Sequence, residues 1–243
     1  MIASDQPTCF DEHLTVKVSS RQDGTVLDRT VADPHSPVVI ARRQALAATA
    51  GTDYANTVYQ IVTYGHDRTY DTIAEVGRAE MTLHIPGVEA DALFTREANV
   101  GLLLPVADCV ATVVYDPVKK YLCMAHLGRH STVAELACKV TKYFQDNGSN
   151  MDDIIIWMAP HVFGRDYVLE YFTSADDPLW QQFATRTDKG YAVDLAGYNR
   201  QSFINAGISP EHIFVSSTNT AHSSDYYSHS QGDHFGRFGV IAV

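Results

Sequence analysis

The sequence lacks the features that mark membrane-spanning, exported and disulfide-bonded proteins. No apolar run reaches the roughly 20 residues that a membrane-spanning helix needs. Residues 1–7 carry neither a basic nor an apolar region, so we expect no secretory signal and a cytoplasmic protein. No C-x-x-C pair occurs, which predicts that the cysteines are reduced thiols. They are Cys9, Cys109, Cys123 and Cys138.

Basic charge and several common enzyme motifs are also missing. With 29 acidic and 18 basic side chains, the formal net charge is -11, and no stretch resembles a basic face. This excludes a non-specific binder of nucleic acid or anionic membranes, although a small anionic substrate needs only local positive charge. The absence of G-x-S-x-G, Walker and G-x-G-x-x-G motifs removes the most common hydrolase, kinase and dinucleotide-binding interpretations. Nothing in the sequence indicates an oligomeric state.

The order of predicted elements indicates an α/β or α+β protein. The 243 residues are 45% apolar and 19% charged and contain no obvious linker, which predicts one domain over residues 1–243. Helices are expected to cover a largely mixed sheet that contains the strands between residues 90 and 125. Strands are predicted at 13–18, 57–64, 90–95, 101–105, 110–115, 121–125, 153–158, 212–215 and 238–243. Helices are predicted at 41–50, 131–147, 178–185 and 195–206, the second with a capping box from Thr132 and Glu135.

Cys109 and His126 lie at the ends of two neighbouring predicted strands. Residues 110–125 between them suit a strand, a turn and a returning strand, so the two side chains could converge. Asp108 precedes the thiol, which argues against an ordinary core cysteine. A thiol and an imidazole in such a place serve either zinc ligation or a Cys–His nucleophile pair, and both remain open here. The candidate catalytic residues are Cys109, His126 and Asp108, the last to orient a ligand or accept a proton.

A further histidine would complete a metal site. His66 follows a predicted strand in a Gly-His-Asp turn, and with Cys109 and His126 it makes a three-ligand set with one open position. That arrangement is typical of catalytic zinc. His84 is the alternative third ligand, although its apolar neighbours are more typical of a strand interior. The polar, histidine-rich segment 221–234 is expected to form a wall that shapes the pocket.

Three segments of this region occur in the order and spacing of a known family pattern. They are Ala107-Asp108-Cys109, Tyr115-Asp116-Pro117 and Ala125-His126-Leu127-Gly128. The chain thereby resembles the multicopper polyphenol oxidoreductases, or laccase-domain proteins, whose pattern reads A-D-C-x-P, Y-D-P and A-H-x-G-W-R-G. Members of that family include zinc-dependent purine nucleoside phosphorylases with adenosine deaminase side activity and the peptidoglycan editing factors. Weaker matches at 41–46, 89–95, 159–167, 194–200 and 220–237 extend over most of the chain.

The resemblance implies a fold, a metal and an activity. The implied fold is a single-domain, layered α/β/β/α sandwich with a mixed sheet and a surface cleft that holds zinc on His66, Cys109 and His126. The implied activity is phosphorolysis of a purine nucleoside, with adenosine deamination as a second activity. Copper is the less suitable metal, because oxidases that reduce dioxygen need several clustered copper sites and one Cys/His/His set offers too few ligands.

The chain departs from the family pattern at two places. Arg129 and His130 stand where the family has Trp-Arg, and we expect one of them to bind phosphate or substrate if phosphorolysis is retained. Asn219 and His222 replace two cysteines near the end of the chain. These departures mark a divergent member of the family.

Two other functions are consistent with the same residues. Cys109 as nucleophile and His126 as base would make a metal-independent hydrolase or amidase, which includes editing of peptidoglycan precursors. Alternatively, the departures at positions 129 and 130 and the loss of the two cysteines at positions 219 and 222 would leave a catalytically degenerate protein that binds a nucleoside or a partner without turnover.

Overall fold

Two mixed β-sheets lie at the centre of the molecule. The computed structural model describes residues 1–30, 33, 35–82 and 87–243. Its strands are β1 (Val16–Val18), β2 (Thr57–Ile61), β3 (Ile73–Glu75), β4 (Val88–Glu89), β5 (Ala92–Thr95), β6 (Gly101–Val106), β7 (Val110–Asp116), β8 (Tyr121–Leu127), β9 (Ile155–Met158), β10 (Val168–Leu169), β11 (Ala184–Thr187), β12 (Gly190–Val193), β13 (Ile213–Val215) and β14 (Phe238–Ala242). Its α-helices are α1 (Pro37–Thr49), α2 (Arg78–Thr82), α3 (Arg129–Val133), α4 (Leu136–Asp146) and α5 (Leu195–Asn205). Among the described residues, no helix combines the length and the apolar character needed to cross a membrane.

Each large sheet combines parallel and antiparallel pairs. The first has the strand order β1-β14-β6-β2-β4, and the second has the order β13-β9-β7-β8-β5-β3. In the first sheet, β14 runs antiparallel to β1 and β6, whereas β2 runs parallel to β6 and β4. In the second, β7 runs antiparallel to β8 and β9, whereas β13 runs parallel to β9. A small third sheet, β10-β12-β11, is antiparallel.

The side chains of the central strands define the layers. Along β6, Leu102 and Leu104 enter the core between the two sheets, whereas Leu103 packs against α1 on the outer face. Along β7, Val113 enters the same inner core, whereas Val114 packs on the side of α4 and α5. This alternation follows from the period of two in a strand. The layers run helix, sheet, sheet, helices, so the expected α/β/β/α sandwich is confirmed.

The chain changes sheets twice within the segment that was expected to form one sheet. β5, β7 and β8 belong to the second sheet, but β6 pairs with β14 and β2 in the first. The expectation of a single sheet over residues 90–125 is therefore wrong for β6. An apolar strand buried on both faces carries no alternation that would assign it to one sheet. As a result, residues 107–109 form the crossing from the first sheet to the second.

The predicted helix over 131–147 is interrupted. α3 ends at Val133 and α4 begins at Leu136, because Glu135 adopts a left-handed conformation with φ of 60°. The expected capping box is absent: Thr132 Oγ1 accepts a hydrogen bond from Asn199 of α5 (2.8 Å), and Glu135 accepts one from the Tyr198 hydroxyl. Contacts with α5 thus replace the local capping pattern.

Of the three other helix predictions, two are confirmed and one is wrong. The helix over 195–206 is confirmed as α5, and the helix over 41–50 is confirmed within α1, which begins earlier, at Pro37. The helix over 178–185 is wrong, because only a 3-10 turn forms at Pro178–Trp180 before β11. Trp180 is buried and stacks on Tyr198 with 3.8 Å between ring centroids, so tertiary packing determines this segment.

Candidate active site

Cys109 and His126 meet beside Gly128. β7 and β8 are paired so that Ala111 lies opposite His126, which places Cys109 next to the end of β8. A Cβ added to Gly128 would stand 3.1 Å from Cys109 Sγ, 2.8 Å from His126 Cε1 and 3.4 Å from His126 Nε2. The predicted convergence of the thiol and the imidazole is therefore observed. Gly128 is required at this place because any side chain would occupy the space that these two groups share.

The protonation states of the pair follow from burial. Burial, and secondarily the Asp108 carboxylate, raises the pKa of the Cys109 thiol to about 12. Burial, with the positive charges of Arg237 and Arg29 and the nearby His130, lowers the pKa of His126 to about 4. Without a metal, both groups are neutral near pH 7. A Cys–His nucleophile pair needs a thiolate, so this environment disfavours a metal-independent hydrolase.

The same pair fits a zinc ion in part. Zinc binds thiolate and neutral imidazole, and the missing Cβ of Gly128 leaves room beside both donors. His66 lies in the turn after β2 with its side chain exposed, and it is not among the residues that line the adjoining cavity. Within the described ranges no three histidine, cysteine or acidic side chains are grouped to hold a metal. The structure thus assembles two of the three predicted ligands, and His84 lies outside the described residues.

Hydrogen bonds from residues that are distant in the sequence hold Asp108 in place. Its backbone has a φ of 77°, a left-handed conformation that is unfavourable for a residue with a Cβ. Its carboxylate accepts hydrogen bonds from the Thr220 hydroxyl (2.7 Å) and the Ser230 amide (2.6 Å). Its carbonyl accepts one from the Val162 amide (3.1 Å). Since both carboxylate oxygens are occupied, the geometry favours a positioning role for Asp108 over proton transfer.

A first cavity opens on one side of the pair. Its volume is about 560 Å³, and Cys109 and His126 lie on its wall together with Arg129 and His130, the predicted substrate-binding residues. The Arg129 guanidinium donates to His130 Nε2 over 2.8 Å. Aromatic and polar side chains complete the wall; they include Tyr64, Tyr70, Asp91, Asp166, Tyr167 and His229. The cavity has the mixed apolar and polar lining of a small-molecule site.

A second cavity adjoins the other side of the pair. Its volume is about 470 Å³, and its lining includes Arg29, His35, Tyr59 and Arg237. Both cavities are lined by Val62, Tyr64, Ala107, Cys109, His126 and His229. Cys109 and His126 therefore lie at the junction of two adjoining cavities.

Several lining residues were not predicted as site residues. The expected wall is observed, since His229 and Ser230 of segment 221–234 line the first cavity. Asp166 was missed, although it accepts hydrogen bonds from Asn219 (2.7 Å) and His222 (2.9 Å), the two residues that replace cysteines. Those replacements were the available signal for a local polar cluster. No comparable signal marks Tyr64 or Arg29, which reach the site from distant loops.

Comparisons with known proteins agree with this architecture. A purine nucleoside phosphorylase, YlmD, from Bacillus subtilis is 30% identical over 204 residues, which cover 79% of this chain and 71% of that protein. Another purine nucleoside phosphorylase, from Streptomyces coelicolor, is 30% identical over 129 residues, which cover 53% of this chain and 50% of that protein. The crystal structure of a hypothetical protein, YfiH, from Bacillus licheniformis superposes with a TM-score of 0.81 at 25% identity, over 94% of this chain and 92% of that one. YlmD from Geobacillus stearothermophilus has the same TM-score at 21% identity, over 97% and 93%.

The family assignment follows from a match over almost the whole chain. The family described as multi-copper polyphenol oxidoreductase laccase matches residues 18–243. That range contains the second large sheet, all strands of the first except the start of β1, the Cys109–His126 pair and the residues that line the two cavities. The chain belongs to the multi-copper polyphenol oxidoreductase laccase family.

Proposed function

We propose that this protein is a zinc-dependent purine nucleoside phosphorylase with adenosine deaminase side activity. The observation that carries the proposal is the Cys109–His126 pair at the junction of two cavities, one of which has aromatic walls. The activity named for the relatives from Bacillus subtilis and Streptomyces coelicolor supports the choice of substrate. The sequence identity to the Bacillus subtilis relative, from which the phosphorylase activity is inferred, is 30%.

The proposed metal ligands are Cys109, His126 and His66. The first two are already adjacent, and His66 follows two residues after Tyr64, which lines both cavities. Zinc, when bound, supplies positive charge beside the substrate and can lower the pKa of a water molecule or hold an anion. Zinc is preferred to copper because one Cys/His/His set is too small for the clustered sites of dioxygen-reducing oxidases.

The side chains of the first cavity would hold the nucleoside. The Tyr64, Tyr70 and Tyr167 rings offer apolar surfaces on which a purine can stack. Asp91 and Asp166 offer carboxylate oxygens that can accept hydrogen bonds from ribose hydroxyls or from base N–H groups. Arg129 and His130 are proposed to contact the substrate from the start of α3.

Water must be kept from the reacting carbon if phosphate is to attack it. Asp108 accepts hydrogen bonds from Thr220 and from Ser230, and Ser230 belongs to the wall of the first cavity. Exclusion of water by such a wall favours phosphorolysis over hydrolysis of the nucleoside. We therefore assign Asp108 a positioning role in the proposed reaction.

The test begins with metal analysis of the purified protein. We expect about one zinc ion per chain, release of base from inosine in the presence of phosphate, and ammonia from adenosine. His126→Ala and Cys109→Ser should lose both zinc and activity, because each removes a donor. His66→Ala should weaken zinc binding, whereas His13→Ala, which changes another exposed histidine, should not.

One result would contradict the proposed activity. Zinc-loaded protein that releases neither base nor ammonia would exclude the activity. If that protein nevertheless bound inosine tightly, the result would identify a degenerate nucleoside-binding protein instead.

A further inference from the structure

Two arginines from distant parts of the chain line the second cavity. Arg237 immediately precedes β14. Arg29 lies shortly after Val26, whose amide donates a hydrogen bond to the Arg237 carbonyl. Two backbone hydrogen bonds join the segments, from the Val26 amide to the Arg237 carbonyl (3.0 Å) and from the Arg29 amide to the Phe235 carbonyl (3.2 Å). In addition, the Arg237 amide donates to the Thr25 side-chain hydroxyl (2.8 Å). The fold therefore fixes the two arginines at one wall, beside Cys109 and His126.

The positive charge of Arg237 is not neutralised within the described part of the chain. Its side chain is only 7% exposed, and its Nη1 donates to the carbonyls of Asp233 (3.3 Å) and Gly236 (2.6 Å). Its Nε and Nη2 groups have no acceptor among the described residues. Burial of an unpaired cation is costly, and an anion in the cavity would offset that cost.

Two other arginines of the chain, in contrast, form ion pairs with carboxylates. Arg21 pairs with Asp233, and Arg68 pairs with Glu89 and Asp91. Neither Arg29 nor Arg237 has a carboxylate within ion-pair distance in the ranges that the structure describes. In a chain with 29 acidic residues, carboxylates are plentiful, so their absence from this wall is a specific feature.

The remaining groups around the cavity leave its positive potential in place. Two carboxylates act on Arg237 from beyond ion-pair distance: Asp233, which is paired with Arg21, and Asp108, which accepts hydrogen bonds from Thr220 and Ser230. The other titratable side chains of the wall are histidines, tyrosines and the Cys109 thiol.

We propose that Arg29 and Arg237 form the subsite for inorganic phosphate. This inference rests on the proposed phosphorylase activity and places the phosphate in the second cavity, away from Arg129 and His130 in the first. Guanidinium groups suit phosphate because their N–H donors match its oxygens in pairs. Phosphate and nucleoside would then approach the Cys109–His126 junction from adjoining cavities.

The arrangement is consistent with displacement at the ribose carbon. An oxygen of hydrogen phosphate forms the new bond to C1′, and the bond from C1′ to the purine nitrogen breaks. The electron pair of that bond stays with the purine nitrogen, which takes the proton that hydrogen phosphate loses. The products are the ribose phosphate and the free base, so atoms and charge balance without a further reactant.

Direct binding of inorganic phosphate tests the subsite without turnover. Zinc-loaded protein would be titrated with phosphate in a calorimeter, as wild type and as Arg29→Gln, Arg237→Gln and Arg129→Gln. Each of the first two variants should raise the phosphate Kd about ten-fold or more, since each removes charged hydrogen bonds. Arg129→Gln should leave the phosphate Kd unchanged and weaken inosine binding instead.

The results of this titration distinguish a failure of the proposed phosphate subsite from a failure of the proposed phosphorylase activity. An unchanged phosphate Kd in Arg29→Gln and Arg237→Gln, or a loss confined to Arg129→Gln, would overturn the subsite. Because Arg237 is buried, Arg29→Gln, at an exposed position, decides the matter if Arg237→Gln fails to fold. Weakened phosphate binding in these variants of a protein that releases no base would support the subsite and exclude the phosphorylase.

Discussion

Asp108 and Thr220 are 112 residues apart in the chain, and the Thr220 hydroxyl donates a 2.7 Å hydrogen bond to the Asp108 carboxylate. This bond joins the crossing between the two sheets to the residue that immediately precedes the segment 221–234. It also stabilises a residue whose φ of 77° is unfavourable. The position of Cys109, the next residue, therefore depends on a contact made by a distant loop.

Substitutions of Asp108 should separate its structural contacts from its charge. Asp108→Ala removes both carboxylate contacts and keeps the unfavourable φ, so we expect a loss of about 3 kcal/mol in the free energy of unfolding. Asp108→Asn retains one acceptor oxygen and a residue type that tolerates positive φ, so the loss should be about 1 kcal/mol. Urea denaturation measures both. Equal stability of Asp108→Ala and wild type would contradict the positioning role.

Gly128→Ala should disable the site while the protein remains folded. The added methyl group would stand 2.8 Å from His126 Cε1 and 3.1 Å from Cys109 Sγ, and one of them must move. We expect zinc content and base release to fall at least ten-fold. Gly65→Ala is the matched control, since its added Cβ meets no atom within 4 Å. If both variants retained full zinc content, the shared space at Gly128 would not be the metal position.

The reactivity of Cys109 in zinc-free protein should follow its high pKa. Burial raises that pKa to about 12, so alkylation by iodoacetamide should be slow at pH 7 and rise about ten-fold per pH unit without a plateau below pH 10. Labelled peptides identified by mass spectrometry separate Cys109 from the other three thiols. Rapid labelling at pH 7 that disappears in His126→Ala would restore the hydrolase hypothesis.

His161 should make the stability of the protein depend on pH. It is buried, its Nδ1 donates to the Ala159 carbonyl (2.8 Å), and burial lowers its pKa. The unfolded chain therefore takes up a proton at higher pH than the folded protein, and stability falls as the pH drops below about 6.5. His161→Gln should lose less of its unfolding free energy between pH 7 and pH 5 than wild type. Identical losses in denaturation at the two pH values would contradict this assignment.

The sequence patterns predicted those features that depend on residues close together in the chain. The approach of Cys109 and His126 follows from two consecutive antiparallel strands joined by a short turn, so it could be inferred from spacing. The break at Glu135 could not, because Tyr198 and Asn199 of a distant helix cause it. The same reason applies to Arg29 and Arg237, whose shared wall depends on pairing between segments at opposite ends of the chain.

Phosphate dependence of base release from inosine is the most direct test of the proposed reaction. With zinc-loaded protein, we predict that hypoxanthine appears only when phosphate is added and that an equal amount of ribose phosphate forms with it. The rate should saturate with phosphate. Release of hypoxanthine at the same rate without phosphate, or no release at all, would contradict the account.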